Sequence, residues 1–411
     1  MYYYYYYYYL VLVLVLVLFI ISFIFIYTYK VKRHNIELYK PFLVDKPYMG
    51  WNSWSSFGPN ITEKLIIEMV DIIADGPLKE AGYTYVIIDD GWALDTRDKN
   101  GFLQADPVKF PNGLKYLSNY IRSKGLKMGI YTSAGSKTCN GYVGSKNYEE
   151  QDAYFFKDLS VNLVKNDFCG FSETFYKFWP WSQYQNNYAK MAKHLYDTSE
   201  FPYYKNEGII YNICNWGFGQ TETWAPDISH SWRIDFDIRP SWNSIMRIFD
   251  RALELRSLNG PNQLNDPDML VLGVEYFLDK LSDIENITHF CLWVMLSGPL
   301  ILSCDLRRLN NIDLITNKEI ISINQDPLCL CCYSVFFKNN KQILVKKLIN
   351  NRFCVAFLNR SRRPLDISYD LLNLKNDVKN VRALISRSDV LVVNGLINRQ
   401  IPGHGIEMFL I

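Results

Sequence analysis

The stretch Tyr85-Val-Ile-Ile-Asp-Asp90 is a short apolar run that ends in two carboxylates. Val161-Asn-Leu-Val-Lys-Asn-Asp167 has the same form farther along the chain and ends in Lys165 and Asp167. Apolar runs of this kind are typical of buried strands in parallel sheets. Lys165 and Asp167 are two positions apart, so on a strand their side chains share one face.

Strands and amphipathic helices alternate on both sides of these two segments. A helical pattern covers Glu63–Ile73, for example, and another covers Ile245–Leu258. The further strand candidates are Tyr48–Trp51, Leu126–Tyr131, Ile209–Cys214, around Ser231–Arg233, around Asp268–Leu272 and Leu300–Ser303. About eight strands that alternate with helices predict an α/β fold, a (β/α)8 TIM barrel in residues 45–328. A doubly wound open sheet is the alternative.

The pattern changes after residue 328. Segments such as Gln342–Leu348, Phe353–Leu358 and Ile406–Leu410 are short and β-like, and no long helical pattern separates them. They predict a small C-terminal antiparallel β-sandwich domain in residues 329–411.

The composition excludes several classes of protein. The 411 residues carry 44 Lys and Arg against 42 Asp and Glu, a net charge of +2, so no nucleic acid is expected as a partner. With 49% apolar and 21% charged residues, the chain is globular rather than disordered.

The N-terminus is a separate segment. Leu10 to Tyr27 is an uncharged run of 18 residues, close to the lower limit of roughly 17–25 residues for a membrane-spanning helix. We assign residues 1–29 to a hydrophobic signal peptide or signal anchor and residues 30–44 to a linker; a mis-assigned start codon is the third alternative. Lys30, Lys32 and Arg33 after the run would keep an anchored domain cytoplasmic, whereas three N-glycosylation sequons, at Asn60, Asn286 and Asn359, favour the secretory pathway.

Polar side chains gather at the predicted strand ends. Besides the two segments above, Arg233 precedes two carboxylates at 235 and 237, and Asn265-Asp-Pro-Asp-Met269 adds another pair. In a barrel these ends meet at one mouth. Carboxylates with one Lys and one Arg suit glycoside hydrolysis, which requires one ionised and one protonated carboxyl group. Lys165 should favour the ionised form of Asp167, and pyranose rings could stack on the indoles of Trp51, Trp54 and Trp92.

Clustered Asp residues also suit a metal, but the histidine pattern does not support one. Only five His occur, in no ligand spacing, and there is neither an EF-hand loop nor a phosphate loop. We therefore expect no metal and no cofactor.

At these residues the chain resembles glycoside hydrolase family 27, the α-galactosidase (melibiase) and α-N-acetylgalactosaminidase family. The matching motifs occur in family order over about residues 45–330. They include Met49-Gly-Trp-Asn-Ser-Trp54, Ile88-Asp-Asp-Gly-Trp92, Leu163-Val-Lys-Asn-Asp-Phe-Cys169, Cys214-Asn-Trp-Gly217, Ser231-Trp-Arg233 and Asn265-Asp-Pro-Asp-Met-Leu270. The resemblance implies a retaining double displacement on terminal α-D-galactosides, with Asp167 as the nucleophile and Asp237 as the general acid/base. The residues it implies for substrate binding are Trp54, Asp89, Asp90, Tyr131, Lys165, Asn215, Trp216, Arg233, Asp268 and Met269.

Asn215 and Trp216 match the loop that reads the sugar's 2-substituent in this family. Asn215 would bond a 2-hydroxyl and Trp216 would fill the space of an acetamide, which favours galactose over N-acetylgalactosamine or a β-L-arabinopyranoside. Two departures bear on activity. Asn166 replaces an aromatic residue and is expected to face away from the mouth, while Phe236 replaces a small residue and could displace Asp237. A galactose-binding protein without turnover is therefore a further alternative.

The resemblance also implies a disulfide between Cys139 and Cys169, two of nine cysteines. Gly91 stands where family members commonly carry a second disulfide's cysteine. The expected partner is an α-galactoside, free or on a glycoconjugate. The expected location is the secretory pathway: secreted, lysosomal or vacuolar, or membrane-anchored. A membrane anchor at the N-terminus and a homodimer both stay open.

Overall fold

The structure is a computed structural model that describes residues 13, 15–17, 40–41, 43–170, 182–205, 207–375 and 378–411. Most of the predicted signal segment, residues 1–29, and most of the linker, residues 30–44, lie outside these ranges. Among the described residues, no helix combines the length and the hydropathy that a membrane crossing requires.

Eight parallel strands form the central sheet. They are β1 (Met49–Asn52), β2 (Tyr85–Ile88), β3 (Lys127–Ser133), β4 (Leu163–Asp167), β5 (Ile210–Cys214), β6 (Ser231–Arg233), β7 (Leu264–Asp266) and β8 (Leu300–Leu302). Each strand from β1 to β6 pairs with the next, and β8 pairs with β1. A bridge between Leu270 and Leu302 joins the segment after β7 to β8, so the sheet closes into a barrel. The predicted TIM barrel is confirmed.

Helices cover the outside of the barrel. They are α1 (Trp54–Phe57), α2 (Glu63–Asp75), α3 (Pro77–Ala81), α4 (Gly113–Ser123), α5 (Glu149–Asp158), α6 (Ser182–Tyr196), α7 (Ala225–Ile228), α8 (Trp242–Glu254), α9 (Asp283–Leu296), α10 (Ile312–Ile315) and α11 (Lys318–Asn324). Short 3₁₀ turns occur at Pro202–Lys205, Thr221–Thr223, Arg256–Leu258, Leu306–Arg308, Ile349–Asn351 and Leu371–Asn373.

The sequence of α2 shows why these helices form where they do. The side chain of Thr62 accepts a hydrogen bond from the backbone N–H of Leu65 and caps the first turn. Ile66, Met69, Val70 and Ile73 recur at helical spacing and are buried against the barrel. Helix α9 begins with a reciprocal capping box between Ser282 and Glu285.

The C-terminal region is an antiparallel β domain. Its strands are β9 (Tyr333–Lys338), β10 (Lys341–Leu348), β11 (Arg352–Asn359), β12 (Leu365–Asp370), β13 (Asn380–Ala383), β14 (Ser388–Leu391), β15 (Leu396–Ile401) and β16 (Ile406–Leu410). Six of them form one sheet in the order β9-β10-β11-β16-β13-β14, and β12 and β15 form a second. Val345, Phe357, Ile367 and Ile397, from both sheets, share one apolar cluster, so the sheets pack face to face. The predicted β-sandwich is confirmed, while the boundary at residue 328 stays a prediction.

Two details differ from the sequence prediction. The seventh strand is Leu264–Asp266, earlier than the predicted Asp268–Leu272, because Asp268 has a φ of 76° and turns the chain away from the sheet. Strands β9, β12 and β15 were not predicted; in β12 and β15, polar residues interrupt the apolar ones. Ile367, Ile397 and Ile401 are the buried apolar residues of β12 and β15.

Candidate active site

The predicted carboxylates lie at the carboxyl-terminal mouth of the barrel. Asp89 and Asp90 follow β2, Asp167 ends β4, Asp237 follows β6, and Asp268 follows β7. All of them except Asp237 are buried. Buried carboxylates require partners, so the contacts of each one show what it is arranged to do.

The ammonium group of Lys165 pairs with Asp89. The Nζ of Lys165 lies 2.7 Å from Oδ2 of Asp89, and Nδ2 of Asn52 donates to the same oxygen at 2.7 Å. The Asp89 side chain is 2% exposed and that of Lys165 is 12% exposed. This pair is desolvated and therefore fixed in place at the floor of the mouth.

Asp90 is held by a residue that the sequence did not single out. The backbone N–H and the side-chain amide of Asn140 both donate to Oδ2 of Asp90, at 3.0 and 2.8 Å. Burial raises the pKa of Asp90, and the two bonds from Asn140 oppose this rise. Asn140 adjoins Cys139 in the Thr138-Cys-Asn-Gly segment, and that proximity is the only signal that could have identified it.

Asp167 is the most enclosed of the candidate catalytic groups. Its Oδ1 accepts a hydrogen bond of 2.8 Å from the backbone N–H of Phe168, and its own carbonyl accepts bonds from Ala134 and Tyr188. A disulfide joins Cys139 and Cys169, as predicted, with 5.0 Å between the Cα atoms. The two sulfurs and a carboxylate oxygen of Asp167 lie within 4.8 Å of one another, so the disulfide lies directly beside the candidate nucleophile.

Burial opposes the ionisation that is expected of Asp167. Burial raises the pKa of Asp167 to about 7, and the positive charge of Lys165 only partly offsets that rise. Lys165 favours the ionised form of Asp167, as predicted, but its charge does not outweigh the cost of burying the carboxylate. The physical reason is that the ammonium group is engaged by Asp89, while the aspartate lies in a dry environment.

Arg233 joins the two carboxylates on the opposite side of the mouth. One guanidinium nitrogen lies 2.9 Å from Oδ1 of Asp237 and 2.8 Å from Oδ2 of Asp268. The same Asp268 oxygen accepts a bond of 2.8 Å from the backbone N–H of Ile238, which fixes the loop that carries Asp237. The Asp237 side chain is 63% exposed, whereas the other two are nearly buried.

The charges around Arg233 give these two carboxyls different pKa values. Burial raises the pKa of Asp237, but the positive charges of Arg233 and Lys165 outweigh burial, so the pKa of Asp237 is lowered. Burial raises the pKa of Asp268 to about 6, against the pull of Arg233. Without substrate, Asp167 is therefore the more easily protonated member of the candidate catalytic pair.

The loop after β5 forms one wall of the site. Trp216 adopts a φ of 57°, and its ring packs edge-to-face on Phe168 at 5.9 Å between centroids. Gly217 has a φ of 76°, and a Cβ there would lie 2.5 Å from the carbonyl oxygen of Ile234. Only glycine therefore allows this close approach of the loop to the chain after β6.

Asn215 does not present its side chain as the sequence predicted. It is 2% exposed; its Oδ1 accepts from Thr221 at 2.6 Å, and its Nδ2 donates to the carbonyl of Phe218 at 2.8 Å. Both ends of the amide are thus engaged within the loop. We therefore assign Asn215 to the shape of this wall and leave the 2-position of the sugar to Trp216.

The aromatic residues predicted for sugar stacking separate into two groups. Trp51 and Trp92 are 0% and 3% exposed, and their indole N–H groups donate to the carbonyls of Cys304 and Tyr131. Both are core residues, which corrects the expectation that they face a sugar. Trp54, at the start of α1, is only partly buried and packs against the apolar cluster that includes Met269.

Tyr131 is 2% exposed and contacts both the disulfide and Lys165. Its hydroxyl donates to Sγ of Cys139 at 3.3 Å, and the ammonium of Lys165 lies 5.3 Å from its ring centroid. Tyr131 therefore supports the disulfide and the lysine as one packed unit.

The two departures from the family pattern affect different sides of the barrel wall. Asn166 is buried and donates to the hydroxyl of Tyr211 at 2.7 Å on the helix side, as the strand alternation predicts. Phe236 is 53% exposed and packs edge-to-face on Phe218 at 5.3 Å. Its ring lies outside the Arg233–Asp237 contact, so Phe236 leaves the carboxylate of Asp237 at the mouth.

Comparison with known proteins agrees with this geometry. The family described as Alpha galactosidase A matches residues 46–326. The chain belongs to this α-galactosidase family. It is 34% identical over 389 residues to Alpha-galactosidase A of Cellvibrio japonicus, which covers 89% of this chain and 91% of the relative. It is 33% identical to the α-galactosidase of Cyamopsis tetragonoloba, with 93% and 90% covered.

A solved structure is similar over the same extent. Alpha-galactosidase I from Mortierella vinacea superposes with a TM-score of 0.81 at 30% identity, covering 90% of this chain and 97% of that one. The predictions of family, fold and α-galactosidase activity are therefore confirmed, and the protein is a glycoside hydrolase. The roles of its individual site residues remain predictions.

Proposed function

We propose that this α-galactosidase cleaves terminal α-D-galactosyl residues by double displacement through Asp167 and Asp237. The observation that carries this proposal is the different placement of the two carboxylates. Asp167 is buried beside the disulfide, where a sugar ring would seat, whereas Asp237 is exposed where a leaving group would exit. One group can thus attack the sugar while the other reaches the glycosidic oxygen.

In the proposed mechanism, Asp167 and Asp237 account for every bond and proton that changes in the two steps. The ionised Asp167 attacks the anomeric carbon, and the bond to the glycosidic oxygen breaks as Asp237 donates its proton to that oxygen. Asp237, now ionised, then takes a proton from water, which attacks the anomeric carbon and releases Asp167. Two inversions give a product that retains the α configuration.

The ligand-free proton distribution must be reversed before this step. The pKa of Asp167 is raised and that of Asp237 is lowered, so the predominant form has its proton on the wrong carboxyl. A bound galactoside would replace the contacts of Arg233 and bring the glycosidic oxygen to Asp237. We propose that substrate binding moves the proton to Asp237 and makes the pair active.

Sugar hydroxyls are proposed to bond to the remaining fixed charges. Asp89, Asp90 and Lys165 line one side of the mouth, and Arg233 with Asp268 lines the other. Because each is held by protein partners before substrate arrives, little reorganisation is required on binding. Trp216 occupies the wall next to Phe168 and supports galactose over a sugar with a bulky 2-acetamido group.

We also propose a location in the secretory pathway. A disulfide is favoured by an oxidising compartment. Asn60 is an exposed sequon, whereas Asn286 and Asn359 are 4% and 0% exposed and have side chains bonded within the fold. The earlier support from three sequons therefore reduces to one. The signal anchor and the homodimer stay predictions.

Azide rescue tests the two roles separately. With p-nitrophenyl α-D-galactoside, Asp167→Ala should be inactive and regain turnover in azide, which attacks from the vacated face and yields β-galactosyl azide. Asp237→Ala should form the galactosyl enzyme and release α-galactosyl azide. Asp235→Ala is the matched control, since Asp235 pairs with Arg247 outside the reacting pair. The same azide anomer from both active-site variants would overturn the assignment.

A further inference from the structure

An aromatic side chain stands directly beside the exit for the leaving group. Phe236 precedes the proposed acid Asp237 in the chain and is 53% exposed, a large fraction for a phenylalanine. A groove beside it is lined by Trp216, Phe236, Asp237, Arg239, Asn243, Ser244 and Arg247. Because Asp237 protonates the glycosidic oxygen, whatever is attached to that oxygen must lie in this groove.

Phe236 is held in this position by several contacts. Its ring packs edge-to-face on Phe218, with 5.3 Å between centroids and 85° between planes. Its backbone N–H donates to Asp235 at 2.7 Å, and Arg247 of α8 pairs with that same carboxylate. Arg247 also donates to the carbonyl of Phe236 at 3.4 Å. The exposed ring is thus fixed in a defined orientation rather than left to rotate freely on the surface.

The rest of the groove is polar. Arg239 and Asn243 are exposed, and the hydroxyl of Ser244 fixes the backbone of Arg239 by accepting its N–H at 3.0 Å. A flat apolar ring beside hydrogen-bonding groups suits a pyranose, which presents C–H groups on one face and hydroxyls at its edge. A lipid chain would use the ring but not the polar groups around it.

From this arrangement we infer that Phe236 is the stacking platform of a leaving-group subsite that selects galactosides whose aglycone is another sugar. This inference rests on the proposed function, because it places the leaving group beside Asp237. It assigns a binding role to the side chain that departs from the family pattern. Phe236 is a specificity-determining residue, and Asn243 and Arg239 bond the hydroxyls of the stacked sugar.

The test compares one substrate that has a sugar leaving group with one that has none. Melibiose releases glucose, whereas α-galactosyl fluoride releases only fluoride and does not fill the subsite. We expect Phe236→Ala to lower the ratio of kcat/KM for melibiose to kcat/KM for α-galactosyl fluoride about tenfold. Phe236→Leu should lower it similarly, because leucine fills the volume without a π face, and Phe236→Tyr should preserve it.

A second readout uses the acceptor side of the same subsite. A sugar hydroxyl can replace water in attacking the galactosyl–Asp167 ester, with Asp237 taking its proton. With methyl α-D-glucoside as acceptor, Phe236→Ala should lower the ratio of transfer product to free galactose about tenfold, and Phe236→Tyr should not.

Each other outcome would overturn the inference. An unchanged substrate ratio in Phe236→Ala would mean that the ring does not contact the leaving group. An equal fall for both substrates would mean that Phe236 affects the galactose site or the fold rather than the leaving group. A lower substrate ratio with an unchanged transfer ratio would mean that Phe236 only positions Asp237, because glucose requires a proton from Asp237 to leave and fluoride does not. Failure of the proposed function gives a different result, because the unmodified protein would then leave α-galactosyl fluoride intact. That result would reject the leaving-group subsite as well.

Discussion

The guanidinium of Arg233 lies 2.9 Å from a carboxylate oxygen of Asp237, the residue expected to act as an acid. A neighbouring positive charge favours the ionised form of a carboxyl group. Arg233 therefore makes Asp237 a poor acid until substrate arrives, while burial makes Asp167 a poor nucleophile. The ligand-free site therefore favours a proton on Asp167 over a proton on Asp237.

The first prediction concerns the pH dependence of kcat/KM for p-nitrophenyl α-D-galactoside. The pair must hold one proton, so activity requires a pH above the lowered pKa of Asp237 and below the raised pKa of Asp167, about 7. We expect a bell-shaped profile with a basic limb near pH 7 and an acid limb below the ordinary titration range of an aspartate. A rate that still rises above pH 8 would contradict this assignment.

The second prediction is that Asp167→Asn stabilises the fold while abolishing activity. The raised pKa means that the folded state binds this proton more tightly than the unfolded chain does. That contribution is fully present below about pH 4, where the unfolded aspartate is also protonated, and is lost as the pH rises through about 7. An asparagine carries no charge to desolvate, so the variant should gain on the order of 4 kcal/mol at pH 8.

Thermal unfolding at pH 4 and at pH 8 checks this result. The gain should be several-fold smaller at pH 4, because the native carboxyl is then neutral. Asp95→Asn, at an exposed loop aspartate, is the matched control. A gain of the same size at both pH values would show that burial of the charge is not the cause.

The third prediction concerns the 2-position of the sugar. Trp216→Ala removes the indole that packs on Phe168 and opens the wall, so the ratio of activity on the N-acetylgalactosaminide to that on the galactoside should rise about tenfold. The measurement uses the two p-nitrophenyl α-glycosides. Asn215 is left unchanged, because its bonds to Thr221 and Phe218 hold the loop. An unchanged ratio would show that another side chain excludes the acetamide.

The fourth prediction concerns the disulfide between Cys139 and Cys169. It closes a loop with a sequence separation of 30 residues, for which chain-entropy arguments give roughly 3–4 kcal/mol of stability. The Cys139→Ser, Cys169→Ser double variant should unfold at a lower temperature. It should also lose more activity than stability alone explains, since the bridge lies beside Asp167. Cys291→Ser, at a buried free thiol, serves as the comparison for loss of packing alone.

The fifth prediction concerns glycosylation in a secretory host. Asn60 is the exposed sequon, so Asn60→Gln should remove a glycan and increase mobility on a denaturing gel. Thr288→Ala and Ser361→Ala, which disrupt the sequons of the buried Asn286 and Asn359, should not change mobility. A shift in either of these two variants would show that its asparagine is modified before the chain folds.

The barrel and the location of most candidate site residues could be predicted from the sequence, because the polar side chains lie at the ends of the strands. The alternation of β4 placed Lys165 and Asp167 on one face and sent Asn166 to the other, as the bond from Asn166 to Tyr211 confirms. The carboxylates that follow β2, β6 and β7 meet at one mouth because parallel strands share a direction. Local periodicity is sufficient for these results.

The tertiary structure alone decided which side chains pair with each other and which are buried away from water. Lys165 of β4 contacts Asp89 after β2, Asn215 is engaged by its own loop, and Trp51 and Trp92 are covered by the core. Burial also raised the pKa of Asp167 against the pull of Lys165. These properties depend on partners distant in the chain and on the depth of each side chain, and a linear pattern specifies neither.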